Sequence, residues 1–214
     1  MTRPSTDTEK RLLDSGRKLL YQNGLAGLRV REVAREAGVN LGMFHYHFGS
    51  RDAFVKLLLK DIYKDFLSRL RLDISPGRPP EKRLRDALVS LGLFVRDNRL
   101  PLSVLIMDAL SGNRKAAEFI AENFTEHVGM LRALLEECRL TGVVSDLPMP
   151  LLLVTIGGSL VAPALALTGL EKACVKKPLG LTLAELHKTL LSDQAVKLRV
   201  GMVLRALSPV KEEK

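Results

Sequence analysis

Three observations predict an all-α fold for this 214-residue chain. Hydrophobic residues make up 46% of it but aromatic ones only 5%, with no Trp, which suits aliphatic packing of helix on helix. No stretch alternates convincingly at period two. Glycine and proline gather at breaks rather than at hairpin spacing. The expected organisation is an N-terminal three-helix domain over residues 1–50 and a larger helical domain over 51–214. A chain of this length can bury a substantial core.

The elements follow in order. Residues 8–23 form an amphipathic helix with Leu12, Leu13, Leu19 and Leu20 inward, stopped by Gly24. Two short helices cover 30–37 and 41–47. Ser50 caps a longer helix from about 51 to 72, with Phe54, Leu57, Leu58, Ile62, Phe66 and Leu70 on one face. The segment ISPGRPPEK (74–82) is a break, since its prolines and glycine cannot sit inside a helix. Helices are then predicted over 81–97, 101–111, 113–140, 147–169 and 182–207. Residues 170–181 (LEKACVKKPLGL) connect the last two and carry three lysines.

Function is most legible in residues 30–51, VREVAREAGVNLGMFHYHFGSR. Val30, Val33, Ala34 and Ala37 make a narrow apolar stripe, with Ala34 small where a second helix must cross. Gly38 suits the left-handed turn that ends a helix, and Val39 plugs the turn. Asn40 is an N-cap for the helix that follows. That helix opens with Leu41, Gly42 and Met43, where a recognition helix meets base edges. Phe44 and Phe48 face inward, while His45, Tyr46 and His47 include outward positions. The pattern is a helix-turn-helix, although a helical hairpin inside any all-α protein would share part of it.

Charge separates the two readings. Residues 1–51 hold nine Lys/Arg against five Asp/Glu, whereas the other 163 residues hold 24 against 19. Positive charge is more than twice as dense at the N-terminus, as contact with phosphates requires. Duplex DNA is therefore the expected partner. Arg29 and Arg31 are placed near a phosphate or a guanine edge, which arginine can contact bidentately. Leu41 and Met43 are assigned to thymine methyls, with Gly42 allowing close approach. Asn40, His45, Tyr46 and Arg51 are assigned to phosphates, contacts that position without specifying. His45 and His47 point in different directions, so no metal pair is expected.

Over residues 8–60 the chain resembles the TetR-type transcriptional repressors. The resemblance rests on YQNGLAGLRV, VREVAREAGVN and GMFHYHFGSRDAFVKLLL. It departs from the family pattern at three places. Leu28 and Arg29 stand where Thr or Ser usually caps the first helix of the motif. The frequent tyrosine of the recognition helix falls on His45, with Tyr46 beside it. Arg51 replaces a lysine. The resemblance implies a repressor released from DNA when a small molecule enters a cavity in its C-terminal two-thirds. Candidate cavity residues are Leu93, Phe94, Met107, Phe119, Phe124, His127, Met130 and Thr155. Few charges fall in these helices, which favours an apolar or weakly polar effector. Ordinary core packing would place the same residues at the same spacing.

The stretch Leu147 to Leu170 contains no charged residue. It is long enough to span a bilayer, but the rest of the chain is amphipathic and needs no lipid. The expectation is a helix buried on all sides, partly against a second subunit, with Gly157, Gly158, Ser159 and Ala162 allowing close approach. A reading helix of two turns covers only a few base pairs. A two-fold dimer would set two of them about 34–36 Å apart on an inverted repeat. The resemblance implies that the helices near 147–169 and 182–207 pair with their symmetry mates in a four-helix bundle.

Other classes fare worse. No Ser-His-Asp arrangement, phosphate loop, paired catalytic carboxylates or HExxH is present, so an enzyme is not expected, nor a cofactor. Cys138 and Cys174 lack disulfide-framework or metal-ligand spacing. The start MTRPSTDTEKRLL has no apolar signal core, which predicts a cytoplasmic protein. A non-specific architectural DNA binder suits the pI near 9.8. It is disfavoured because basic residues interleave with acidic ones instead of forming tails.

Overall fold

A computed structural model describes residues 4–209 apart from 24, 26 and 27. Among the described residues there are ten α-helices and no strand. They are α1 (Pro4–Asn23), α2 (Val30–Glu36), α3 (Leu41–Phe48), α4 (Arg51–Asp73) and α5 (Pro80–Asp97), then α6 (Arg99–Leu110), α7 (Arg114–Leu140), α8 (Met149–Lys172), α9 (Leu183–Leu191) and α10 (Asp193–Leu207). Gly24, expected to stop the first helix, lies outside the described residues.

The chain divides into two compact units. One holds the residues up to Asp65 with Leu100–Asn123, the other Phe66–Arg99 with the residues from Phe124 on. The division expected at residue 50 thus falls inside the first unit. The reason is local: Gly16 of α1 lets α4 approach so closely that a Cβ there would sit 2.4 Å from the Phe54 ring. Phe54 in turn meets Phe44 and Phe48 with centroids 5.0 and 4.9 Å apart, joining α3 to the same core. Leu12, Leu20, Leu28 and Leu58 are fully buried around them. Each such side chain contributes about 1.5–3 kcal/mol.

In the second unit α5, α8 and α10 pack on one another and α9 closes on α8 and α10. Gly92 of α5 makes the crossing with α10 possible, since a Cβ there would meet Val196 Cγ1 at 2.7 Å. The inner face of α8 is Leu152, Ile156, Leu160, Ala164 and Leu167, all buried. The proline-rich break before α5 is held by buried Arg83, which donates to the carbonyls of Ile74 and Arg78 at 3.1 Å and pairs with Glu137. Cys138 is buried, its thiol pushed up to about 11 by burial, and Cys174 is exposed; neither is in a disulfide.

Two expectations about the C-terminal helices need correction. Residues 182–207 are two helices, not one. Ser192 adopts an extended conformation (φ −63°, ψ 157°) and its hydroxyl accepts from Ala195 N at 3.2 Å, so α9 stops and α10 starts at the same residue. Arg96 pairs with Asp193 and also donates to the Leu191 carbonyl, fixing the corner from α5. The 170–181 connection is likewise shorter than expected. Helix α8 runs on to Lys172, so Glu171 is helical; it pairs with His187 and lies 3.3 Å from Arg99.

Gly92→Ala is expected to lower stability by about 1–3 kcal/mol, because the new methyl must push Val196 aside. Gly129→Ala, with nothing within 4 Å, is expected to raise it by up to about 1 kcal/mol through helix propensity. Urea unfolding of the two variants beside the parent checks both signs.

Candidate nucleic-acid interface

The motif is assembled from the bottom of α2 upward. Helix α2 starts at Arg29, whose backbone is extended but whose side chain makes no cap bond. The position before it explains the missing Thr or Ser: Leu28 is fully buried and anchors the turn in the core. Val33 and Ala34 pack inward, and the chain then turns at Gly38 with φ +62°. Arg11 of α1 holds that turn by donating to the Ala37 carbonyl at 2.5 Å and to that of Gly38 at 3.3 Å.

Asn40 caps α3, its side-chain oxygen accepting from Met43 N at 2.9 Å. A Cβ on Gly42 would lie 3.2 Å from that same oxygen, so the cap and the glycine fit each other. Leu41 and Gly42 are exposed and Met43 is half-buried, a first turn open to a groove. Tyr46 is 77% exposed. His45 is exposed and its Nδ1 lies 3.2 Å from the Gly49 carbonyl, at the helix end. His47 turns the other way: its side chain is buried, with Nδ1 4.0 Å from Glu9.

The structure sorts the basic residues in a way that net charge does not. Arg17 bridges Asp61 and Asp65 at 2.8 Å each, and Lys18 pairs with Glu36 at 2.5 Å. Arg51 donates to the carbonyls of Leu28 at 2.8 Å and Leu25 at 2.6 Å. Its first task is therefore to clamp the α1–α2 connection onto the start of α4. Arg29 remains exposed, only 3.8 Å from Glu32. Arg31, Arg35 and Lys10 enter no ion pair among the described residues and are exposed. Arg35 was not singled out in the sequence. The available signal was its i+4 spacing from Arg31, which puts both on one face of α2.

The candidate effector residues do not converge on one place. Met107 and Phe119 belong to the first unit, and Met107 is 58% exposed on the surface of α6. In the second unit Phe94 stacks on Phe66 with centroids 4.3 Å apart. His127 is buried edge-on to Phe66 and Phe124 at 5.8 and 4.9 Å. Leu93 and Met130 are half-buried, and Thr155 spends its hydroxyl on the Leu151 carbonyl at 2.8 Å.

Comparison with known proteins adds to this geometry. Residues 12–58 match the family of bacterial regulatory proteins named tetR. Over 84 residues the chain is 31% identical to the HTH-type transcriptional repressor NemR of Escherichia coli K12, covering 39% of this chain and 41% of that protein. The match thus spans about two fifths of the length of that curated relative. The fold of this chain is similar to that of a TetR transcription regulator from Haloarcula marismortui, with a TM-score of 0.69 at 18% identity over 94% of this chain and 98% of the other. The regulator FadR from Bacillus subtilis, in complex with stearoyl-CoA, aligns with a TM-score of 0.66 at 17% identity over 92% and 95% of the two chains.

Burial pushes the His127 imidazole down to about 4, so the folded chain keeps it neutral where the unfolded chain, near 6.5, protonates it. Stability is full above about pH 6.5 and falls as the pH drops towards 4, by up to about 3 kcal/mol. Urea midpoints between pH 7 and 4.5 should spread less in His127→Phe than in the parent.

Proposed function

We propose that this chain, whose residues 12–58 are a TetR-type helix-turn-helix segment, works as a ligand-responsive transcriptional regulator that binds an inverted-repeat operator as a homodimer. Residues 1–50 serve as the DNA-binding domain and 51–214 as the effector and dimerisation domain. The observation that carries the reading is the exposed start of α3 at Leu41 and Gly42, with exposed Tyr46 on the same helix and, on α2, exposed Arg31 and Arg35 in no ion pair among the described residues. Arg29, Arg31, Asn40, Leu41, Gly42, Met43, His45 and Tyr46 then act as the sequence suggests, with Arg35 added. Arg51 supports them mainly through the backbone it clamps.

The outer face of α8 supports the dimer. Leu151 and Val154 are 51% and 70% exposed, followed at helical spacing by Gly158 and Ala162, and α10 adds exposed Leu198 and Met202. Helix α8 is long and apolar enough to cross a membrane by length and composition. Its buried inner face against α5 and α10 favours a protein-covered helix instead. A small effector inside the second unit, acting on the spacing of two reading heads, must bind one spacing more tightly than the other by a few kcal/mol. Stearoyl-CoA on FadR shows that a chain of this fold can take an apolar-tailed ligand. For this chain an apolar or weakly polar effector fits the sparse charge among its helices.

An architectural DNA binder without an effector is the second reading. Footprinting around its own gene, with random duplex as competitor, separates the two: a regulator prefers its operator by at least ~10³ at physiological salt, and equal competition by random DNA defeats the proposal. Tyr46→Phe should weaken binding alike on every sequence, whereas Arg31→Ala should also reduce the salt slope by about 1. Val154→Glu should yield monomers in light scattering and lose high-affinity binding. A dimer of unchanged strength would exclude α8 as the interface.

A further inference from the structure

Within the first compact unit, the first turns of α4, the body of α6 and the start of α7 enclose a cleft of about 660 Å³. That size is within the range of small-molecule sites. Its wall is apolar: Leu59, Val104 and Phe119 are half-buried, and Leu105 and Ala116 are buried. Its rim is charged with both signs, from Arg51, Asp52, Lys56, Asp108 and Glu118.

What a ligand would feel depends on how those charges are already used. Lys56 Nζ lies 3.7 Å from Glu122, and Glu118 accepts from Arg114 Nε at 2.8 Å. Arg51 gives two donors to the Leu25 and Leu28 carbonyls. Asp52 and Asp108 enter no ion pair among the described residues. Asp108 sits in the last turn of α6, whose terminal carbonyls add negative charge at that residue, while Asp52 lies in the first turn of α4, whose amide end offsets it. The amide end of α7 is instead capped, Ala116 N donating to Asn113 Oδ1 at 3.2 Å. Arg51 keeps its charge against neutral carbonyls, so Arg51, Asp52 and Asp108 together leave one net negative charge over the apolar wall, and Asp108 is the carboxylate with no helix amide end behind it.

We propose that this cleft binds a small organic cation, its apolar body on the Leu59–Leu105–Phe119 wall and its ammonium group at Asp108. The site shares Phe119 with the effector candidates read from the sequence and none of those in the second unit, and its existence does not rest on the DNA-binding proposal. Leu25 and Arg51 line it, so an occupant touches the clamp on the connection that leads into α2.

Isothermal titration of the full chain with 4-phenylbutylamine, 4-phenylbutanol and 4-phenylbutyrate tests the idea. The amine should bind tightest and exceed the carboxylate by about tenfold or more. Asp108→Asn should cost the amine about fivefold and leave the alcohol unchanged, as expected for a partly exposed charge pair. Ala53→Phe, at an exposed lining position, should exclude all three while circular dichroism stays native. Equal affinity for the three compounds, preference for the carboxylate, no binding at millimolar concentration, or amine binding intact in either variant would each overturn it.

Discussion

An uncharged helix in water has to be covered, and most of this molecule's second unit is arranged around that need. From Leu147 to Leu170 there is no charge to turn towards solvent. Helices α5 and α10 cover the inner face of α8, and the close approach at Gly92 lets them do so without a gap. On the outer face Leu151 and Val154 stay exposed among the described residues. Under the proposed function that deficit is met by a second copy, and the second copy supplies the second reading helix. The apolar demand of one helix and the specificity demand of another then have a common answer.

The reading motif depends on a different economy, that of donors and acceptors at helix ends. Helix α2 begins without a side-chain cap, and the turn after it has a positive φ at Gly38. Arginines from neighbouring helices hold both places, Arg51 below α2 and Arg11 at its far end. Two of the nine basic residues counted in the sequence are thus structural staples, and Arg17 and Lys18 are tied to carboxylates. The charge that remains for phosphates is smaller and more localised than the count suggests.

Much of this was legible beforehand because it rests on local rules. Helical periodicity located nearly every element, Gly38 and Asn40 behave as their turn and cap chemistry requires, and Ser50 accepts from Ala53 N as a cap should. Three things were not legible. The stop at Ser192 was masked by an apolar pattern that continues in phase across it, although Ser-Asp is an ordinary helix start. Arg51 reads as a cation in sequence, and only folding brings the Leu25 and Leu28 carbonyls to it. Phe119 and Met107 share the periodicity of core residues, but their burial is decided by which helices fold over them, and periodicity carries no such information.

The fit between Asn40 and Gly42 bears on how this reader can diverge. Any side chain at 42 must displace the amide that caps α3 by a few tenths of an ångström, and losing that cap would cost about 1 kcal/mol. Leu41 and Met43 carry no comparable constraint on their exposed atoms. Drift towards a new target sequence is thus channelled through two positions, while the third stays fixed by the helix it would alter. A library that randomises 41 and 43 but spares 42 follows the path open to the lineage itself.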